Sequence, residues 1–291
     1  MKEAAPLFIY GMTLDDVYPD TVRGVLSQGL RSSPRGMPIT EVLGASLMIR
    51  DPLQGTCLLK SRKLNYAFHV IEKWEYLAGE SNPERVCFYN SNMSNFLNEG
   101  KFDGAYGPRI GRQLEYVYNL LKKDPDSRQA VININAEVDK HDSKDIPCTI
   151  SLQVLIRESK LNMIVTMRSN DACFGTPLDI SAFTFLQEVL AFWLGVKVGW
   201  YLHQAGSLHV YDSTKEKLLE MLKDTSVKAS YKRPLWDLNL EATKIWLKEA
   251  FRLEKILRTE RQDIKVDNLP ECLRSDIEIL RLFIKRKIDK K

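Results

Sequence analysis

The sequence predicts an α+β fold that is followed by a C-terminal helical extension. Apolar residues alternate from Thr149 to Arg157 as in a half-buried strand, and Leu161 to Met167 form a further strand after a short turn. Because no helix separates these strands, a regular βαβ alternation is excluded. Near the C-terminus, residues 241–262 and 271–288 have the charged, amphipathic pattern of surface helices.

The other expected elements follow from periodicity and from residues that begin or end helices. Thr13 suits a helix N-cap, although Pro19 favours a helix that starts only at Asp20. In chain order, we expect a helix over 13–30, a loop over 31–38, a strand with a glycine bend over 40–50, helices over 64–78, 110–123 and 180–194, and strands over 130–134 and 197–203. A break near Pro234 divides the chain into a core domain, 1–230, and the helical extension, 231–291.

The composition is that of a folded protein without a strong charge bias. The 291 residues suffice for one large or two small domains, and 44% of them are hydrophobic. The formal net charge of +4 does not indicate a nucleic-acid-binding protein, and no apolar run is long enough to span a bilayer. The five cysteines are irregularly spaced without a Cys-x-x-Cys pair. We therefore expect no disulfide framework, no bound metal and a cytoplasmic location.

Three segments together form a specific pattern. Pro147-Cys148-Thr149 is followed by Arg168-Ser169-Asn170-Asp171, with Gly175 four residues after the aspartate, and then by Gly206 to Tyr211. These residues resemble the catalytic half of the thymidylate synthase family, and the likeness extends over roughly 13–215. That family adds a one-carbon unit to C5 of a pyrimidine nucleotide.

The resemblance implies several properties of the chain. We expect a thymidylate synthase-like fold, in which a large mixed sheet is flanked by helices, and catalysis by the domain 1–230. The implied cofactor is 5,10-methylenetetrahydrofolate, and the implied substrate is a pyrimidine nucleoside monophosphate. A homodimer with shared active sites is implied as well, with no requirement for a membrane or a nucleic acid.

Four residues resemble the catalytic residues of the family. Cys148 would be the thiolate that adds to C6 of the ring, and Arg168 would lower the pKa of that thiol. Glu72, seven residues before Gly79, would be the general acid and base, and Tyr106 would help to remove the C5 proton. Taken singly, each residue also has a structural explanation: a buried cysteine, a surface glutamate or a packed turn tyrosine.

The remaining candidates resemble residues that bind substrate or cofactor. Arg35 and Ser169 would bind the phosphate, and Arg128 would reach the phosphate of the partner subunit, although a lone arginine is usually a solvated surface charge. His209 and Tyr211 share one face of a strand and would bind the sugar. Gln153 is a further candidate for binding the substrate. The candidates for binding the folate are Asp171, Gly175 and Asn92, and Asn92 lies near the place of a tryptophan that is common in synthases.

Asp179 distinguishes branches of the family. Thymidylate synthases carry an asparagine at this position, whereas an acid resembles the cytidylate hydroxymethylase branch. Cytosine presents an N3 acceptor and an N4 donor, which a carboxyl group complements. We therefore expect a C5-hydroxymethyltransferase acting on CMP or dCMP. The alternatives are a thymidylate synthase or dUMP hydroxymethylase, and a non-catalytic homologue that binds nucleotides or RNA. A helix N-cap is the structural explanation of Asp179.

Overall fold

A computed structural model describes residues 5–136, 143–223, 234–262 and 264–289 of the chain. Its centre is one sheet of seven strands: β1 (Phe8–Gly11), β2 (Leu30–Ser32), β3 (Ile39–Ile49), β4 (Val131–Asn133), β5 (Thr149–Arg157), β6 (Lys160–Asp171) and β7 (Lys197–Tyr211). The order in the sheet is β1-β3-β7-β6-β5-β4, and β2 pairs with β3. The β1–β3 and β6–β7 pairs are parallel, and the other pairs are antiparallel. The expected mixed sheet is confirmed.

Eight α-helices surround this sheet within the described ranges. They are α1 (Leu14–Gln28), α2 (Tyr66–Ala78), α3 (Pro83–Tyr89), α4 (Tyr106–Lys123), α5 (Gly175–Leu194), α6 (Asp212–Lys223), α7 (Leu240–Lys255) and α8 (Glu271–Ile288). Helix α5 is buried along most of its length, as its apolar sequence requires. Short 3-10 turns occur at Pro34–Gly36, Pro52–Gln54, Lys60–Arg62 and Ser91–Phe96.

Helix α1 corrects one expectation about where a helix starts. It begins at Leu14, not at Asp20, and contains Pro19. The proline removes one backbone donor, but a capping box offsets this loss: the Thr13 hydroxyl accepts from the N–H of Asp16 at 3.3 Å, and the Asp16 carboxylate accepts from the N–H of Thr13 at 2.9 Å.

Other boundaries also differ from expectation. The region 31–38 holds the end of β2 and a 3-10 turn, not only a loop. Strands β6 and β7 continue beyond 167 and 203, because ten paired positions between them keep both chains extended. Helix α5 begins at Gly175, five residues before the expected start. The expected helix over 64–78 is confirmed as α2, and Gly79 ends it with a φ of +70°.

The two expected C-terminal helices are present and pack against the core. Asp276 of α8 binds two side chains of α2: Lys73 Nζ at 2.6 Å and Trp74 Nε1 at 2.8 Å. The Trp74 ring also contacts Phe251 of α7 edge to face, with centroids 5.6 Å apart. The helical extension is therefore joined to the core by a buried ion pair and an aromatic contact. The division at residue 230 stays a prediction.

A cavity of about 590 Å³ lies between α2, α5 and α8, and none of the candidate site residues lines it. Among the described helices, none combines the length and apolar character that a bilayer crossing requires.

We predict that Asp276→Asn lowers the free energy of unfolding by about 3 kcal/mol, because it leaves the Lys73 ammonium buried without a counter-charge. Urea unfolding followed by tryptophan fluorescence measures this loss. The matched control is Glu278→Gln, which breaks the exposed pair with Arg281 and should cost less than about 1 kcal/mol. Equal losses in the two variants would contradict the importance of the buried pair.

Candidate active site

The pairing of β5 with β6 places Cys148 beside Arg168. Cys148 immediately precedes β5, and its carbonyl accepts a hydrogen bond from the backbone N–H of Arg168 at 2.8 Å. The Arg168 guanidinium donates to the carbonyls of Pro147 and Ile146, each at 2.9 Å. The arginine therefore holds the segment that carries the thiol, and its charge lies next to that thiol.

The thiol of Cys148 is not activated in the free chain. Burial raises its pKa above the ordinary value, and the nearby charge of Asp179 adds to this effect. The positive charges of Arg168 and Arg35 lower the pKa, but burial outweighs them. The thiol is therefore mostly protonated at neutral pH, and a bound substrate or a proton acceptor has to favour the thiolate.

Tyr106 is fixed close to the cysteine segment. It is the first residue of α4, and its hydroxyl accepts a hydrogen bond from the backbone N–H of Thr149 at 3.1 Å. Its ring stacks on Phe183 of α5, with centroids 6.3 Å apart and an angle of 14° between the planes. Burial raises the pKa of the hydroxyl, so Tyr106 stays neutral and is able to donate or accept a proton in a hydrogen bond.

Glu72 lies on the face of α2 that points toward the same cluster. Glu72 is half-buried, and its carboxyl group forms no hydrogen bond and no ion pair within the described residues. Its pKa is raised well above the ordinary value, first by burial and then by the negative charges of Asp179 and Glu75. A carboxyl group of this kind exchanges protons near neutral pH, as a general acid and base must.

The pairing of β6 with β7 assembles a second group of candidates. Asp171 of β6 is opposite His209 of β7, and Ser169 is opposite Ser207. The rings of His209 and Tyr211 meet edge to face with centroids 4.9 Å apart. Burial raises the pKa of the Tyr211 hydroxyl, and the nearby Arg35, which precedes β3, opposes this shift. The sequence-predicted phosphate, sugar and folate residues on these strands are thus brought together.

Two polar groups in this second cluster are suited to bind a ligand. Burial lowers the pKa of His209, and its buried Nδ1 has no partner among the described residues. The Asp171 carboxylate is oriented by the N–H groups of Cys173 at 2.8 Å and Phe174 at 3.1 Å, and burial raises its pKa. An oriented carboxyl group with spare lone pairs and an imidazole nitrogen without a partner fit a polar cofactor or sugar.

Asp179 is not the helix N-cap that its sequence position suggested. It is the fifth residue of α5, and its Oδ2 accepts a hydrogen bond from Asn170 Nδ2 at 2.7 Å. A Cβ at Gly175 would lie 3.0 Å from Asn170 Nδ2 and 3.2 Å from Asp179 Oδ2, so a glycine leaves room for this contact. Burial raises the pKa of Asp179 to about 7, although the Asn170 hydrogen bond lowers it.

Three candidates lie apart from these clusters. Arg128 is exposed in the turn before β4, and its carbonyl accepts from Gln153 Nε2 at 3.0 Å. Gln153 therefore supports the backbone of Arg128, a role that the sequence did not indicate. Asn92 is exposed on the 3-10 turn Ser91–Phe96, and its backbone N–H is bound by Asn90.

Sequence reasoning missed several residues that support the site. The hydroxyl of Tyr201 on β7 forms a hydrogen bond with His203 Nδ1 at 2.9 Å. His203 Nε2 forms a second one with Asn170 Oδ1 at 3.1 Å. The spacing of two residues between Tyr201 and His203 puts them on one face of the strand expected over 197–203. The strand expected over 161–167 ended before Asn170, so the contact with Asn170 was not predicted. Arg62 is buried and donates to the Tyr18 hydroxyl at 2.9 Å and to the carbonyl of Cys173. No pattern in the sequence indicates that Arg62 is buried and forms these hydrogen bonds.

We predict that Asp179→Asn stabilises the protein in a pH-dependent way. The pKa of Asp179 is raised from 3.8 to about 7 in the folded chain, so the folded state binds the proton more tightly than the unfolded state. Wild-type stability therefore falls as the pH rises from about 4 to about 7, and the variant avoids this loss. The gain in the variant should grow to a few kcal/mol, at roughly 1.36 kcal/mol per pKa unit.

Thermal unfolding at several pH values measures this difference. Asp212→Asn is the control with the opposite sign, because Arg31 lowers the pKa of Asp212 and that exposed pair is lost in the variant. A difference between Asp179→Asn and wild type that stays constant over this pH range would contradict the raised pKa.

Comparison with known proteins places these clusters in one family. The thymidylate synthase family model matches residues 16–269. The chain is 37% identical over 215 residues to a deoxyuridylate hydroxymethyltransferase of Bacillus phage SP01, and the match covers 67% of this chain and 56% of the relative. It is 30% identical over 233 residues to a deoxyuridylate hydroxymethyltransferase of Delftia phage PhiW-14, with 70% and 65% covered. A thymidylate synthase of Francisella philomiragia is 26% identical over 231 residues, with 70% and 83% covered.

The chain thus spans less than two thirds of the length of the two phage relatives. The family model nevertheless includes both strand pairs that carry the clusters, from the cysteine segment to the end of β7. With a family match over most of its length and a relative that is 37% identical, the chain belongs to the thymidylate synthase family.

Proposed function

We propose that this protein adds a one-carbon unit to C5 of a pyrimidine nucleoside monophosphate and leaves a hydroxymethyl group there. The observation that carries the proposal is the convergence of Cys148, Tyr106 and Glu72 on one cluster, with a nucleophile and two groups able to move protons. The two phage relatives, which are named deoxyuridylate hydroxymethyltransferases, support the hydroxymethyl product.

Cys148 is the nucleophile in this proposal. Addition of its sulfur to C6 breaks the aromatic character of the pyrimidine and makes C5 an electron-rich carbon, which the ring alone does not provide. Arg168 lies beside the sulfur and favours the thiolate. A substrate phosphate close to Arg168 and Arg35 brings the ring to the sulfur, because a guanidinium binds a phosphate through two parallel hydrogen bonds.

Tyr106 and Glu72 handle the protons. The Tyr106 hydroxyl is held at the residue after the nucleophile, where it is positioned to help remove the C5 proton. Burial raises the pKa of Glu72 well above its ordinary value, and its carboxyl group has no competing partner among the described residues. It is therefore able to donate to the ring oxygen or nitrogen and then to direct a water molecule to the one-carbon group.

The cofactor used by the thymidylate synthase family and its hydroxymethyltransferases is 5,10-methylenetetrahydrofolate. When bound, it would supply the one-carbon unit. Asp171 is the residue best oriented to hold its polar edge, because two backbone N–H groups fix the carboxyl. Gly175, which is also a candidate for binding the folate, leaves room for the contact between Asn170 and Asp179.

The exposed Asn92 is consistent with a hydroxymethyl product. Asn92 falls near the place of a tryptophan of many synthases by its spacing from Tyr106, and it is a small polar side chain on the surface. An indole would exclude water, whereas hydroxymethylation consumes water.

Uridylate is the base that we favour as substrate, because both phage relatives are named for deoxyuridylate. Cytidylate is the second candidate, and the specific observation in its favour is the acid at position 179. The non-catalytic homologue is the least favoured alternative, since it would have no use for a cysteine held beside an arginine. His209 and Tyr211 are proposed to bind the sugar, and Ser169 to assist the arginines at the phosphate.

We expect Cys148→Ala to abolish turnover while nucleotide binding remains within about threefold of wild type, because the sulfur forms the bond to C6 but contributes little to phosphate recognition. Incubation with the folate and each of CMP, dCMP, UMP and dUMP, followed by mass spectrometry, identifies the substrate and the product. Cys87→Ala, at a half-buried cysteine outside the cluster, is the control and should remain active. Hydroxymethylation by Cys148→Ala would contradict the covalent mechanism.

The proposed enzyme is a homodimer in which Arg128 acts in the neighbouring site. Arg128 is exposed, its backbone is held by Gln153, and it has no ion pair within the described residues. We expect Arg128→Ala and Cys148→Ala to be inactive separately and to regain activity when mixed, because one site of each heterodimer then has both groups. When equal amounts of the two variants exchange subunits at random, about a quarter of the sites should be complete, so up to about a quarter of the wild-type activity should return. Failure to recover activity, with subunit exchange shown by mass spectrometry, would contradict a shared site.

A further inference from the structure

The cavity of about 590 Å³ between α2, α5 and α8 lies on the far side of α5 from the candidate active site. Ser181 and Phe185 line the cavity, and they share one side of α5 because they are four residues apart. Asp179 and Phe183 are also four residues apart, and they contact residues of the candidate site instead. A step of two residues turns an α-helix by about 200°, so the two pairs lie on opposite sides of α5. The helix therefore separates the cavity from the candidate site.

Helix α8 forms a wall of the cavity from outside the family match. The match to the thymidylate synthase family model ends at residue 269, and α8 begins at Glu271. The residues that α8 contributes to the lining include Cys272, Ile279 and Phe283. The match to the family therefore assigns this cavity no ligand.

Most polar groups of the lining are already bonded to each other. Ser181 Oγ lies 3.2 Å from Thr56 Oγ1 and 2.9 Å from His69 Nε2. Lys73 and Asp276 form the buried ion pair that joins α2 to α8. These groups have little to offer a ligand, so the remaining surface is mostly apolar. It includes the aromatic rings of Tyr66, Phe185, Trp236 and Phe283.

The size and polarity of the cavity suit a small organic molecule. Pockets that bind such molecules have volumes of about 300–1,000 Å³ and a mostly hydrophobic lining with few polar groups. Water gains little in a cavity without free hydrogen-bond partners, whereas an apolar molecule gains from leaving water. The four aromatic rings of the lining favour a ligand that is itself aromatic, because flat rings pack against each other over a large area.

Arg286 adds a positive charge at the edge of the cavity. It lines the cavity from the last turn of α8, is exposed, and has no hydrogen bond and no ion pair among the described residues. Leu282, one turn earlier, also lines the cavity and is 55% exposed, so the cavity opens to solvent at this point. A guanidinium binds an oxyanion through two parallel hydrogen bonds. A ligand whose apolar part enters the cavity would therefore place an anionic group at Arg286.

We propose that this cavity is a second ligand-binding site, which takes a mainly apolar, aromatic molecule with one anionic group. The aromatic part packs between α2, α5 and α8, and Arg286 binds the anionic group at the opening. The site shares no residue with the cluster around Cys148, so the inference does not depend on the proposed function.

The test uses two fluorescent probes that differ in one group. Anilinonaphthalene sulfonate has apolar rings and a sulfonate, and phenylnaphthylamine has the same rings without the sulfonate. The full chain of 291 residues is titrated with each probe, and the rise in probe fluorescence gives the dissociation constant. Wild type should bind both probes saturably, with a dissociation constant for the sulfonate on the order of 10 μM, as is ordinary for a ligand of this size.

Arg286→Gln should weaken binding of the sulfonate about threefold to tenfold and leave the uncharged probe within about twofold of wild type, because only the sulfonate loses a partner. Lys285→Gln is the matched control. It removes an equal charge from the neighbouring position, which is exposed and does not line the cavity. Both dissociation constants should stay within about twofold of wild type in this control.

Ile279→Trp should weaken binding of both probes at least about tenfold, because the indole occupies the apolar volume that the probe rings need. Ile288→Trp adds the same ring to α8 at a position that is 40% exposed and does not line the cavity, so its affinities should match wild type. Circular dichroism shows whether Ile279→Trp folds. If it does not, the comparison of Arg286→Gln with Lys285→Gln decides.

Three results would overturn the inference. They are the absence of saturable binding by wild type, unchanged affinities in folded Ile279→Trp, and an Arg286→Gln variant that affects the two probes equally or not at all. Loss of hydroxymethylation has no bearing on the outcome, because neither probe is a nucleotide and the readout is binding.

Discussion

The register of β6 between β5 and β7 is the constraint on which the site depends. On one side β6 runs antiparallel to β5, which brings Arg168 next to Cys148. On the other side it runs parallel to β7, which brings Asp171 opposite His209. A slip of one residue in either pairing would turn every side chain of that strand to the opposite face of the sheet. The buried alternating residues of the three strands prevent such a slip, because it would expose the core.

Helix α5 then encloses what the sheet has assembled. It starts four residues after Asp171, and its first turns bring Asp179 and Phe183 against Asn170 and Tyr106. Gly175 suits the start of the helix, since a Cβ there would lie 3.0 Å from Asn170 Nδ2 and 3.2 Å from Asp179 Oδ2, and these side chains would have to shift. The helix carries an acid into a site from which water is largely excluded, and this placement destabilises the ionised form of that acid.

The free site places acidic groups with raised pKa values beside two arginines. Burial raises the pKa of Cys148, Glu72 and Asp179 alike, so each tends to keep its proton. Arg35 and Arg168 are exposed and remain charged at neutral pH. The two guanidinium groups attract a phosphate dianion, and the raised pKa values weaken its repulsion by the nearby carboxyl groups.

The sequence by itself determined the family and most strands of the centre, because strand periodicity and the order of Cys148, Arg168 and His209 are local properties of the chain. Tertiary structure decided what those residues touch. Asp179 had the appearance of a helix cap, yet it lies inside α5 and binds Asn170. His203 is far from Asn170 in sequence, and the two side chains form a hydrogen bond only in the folded chain. Local patterns carry no information about such contacts, since burial and hydrogen-bond direction depend on segments that approach each other only in the folded chain.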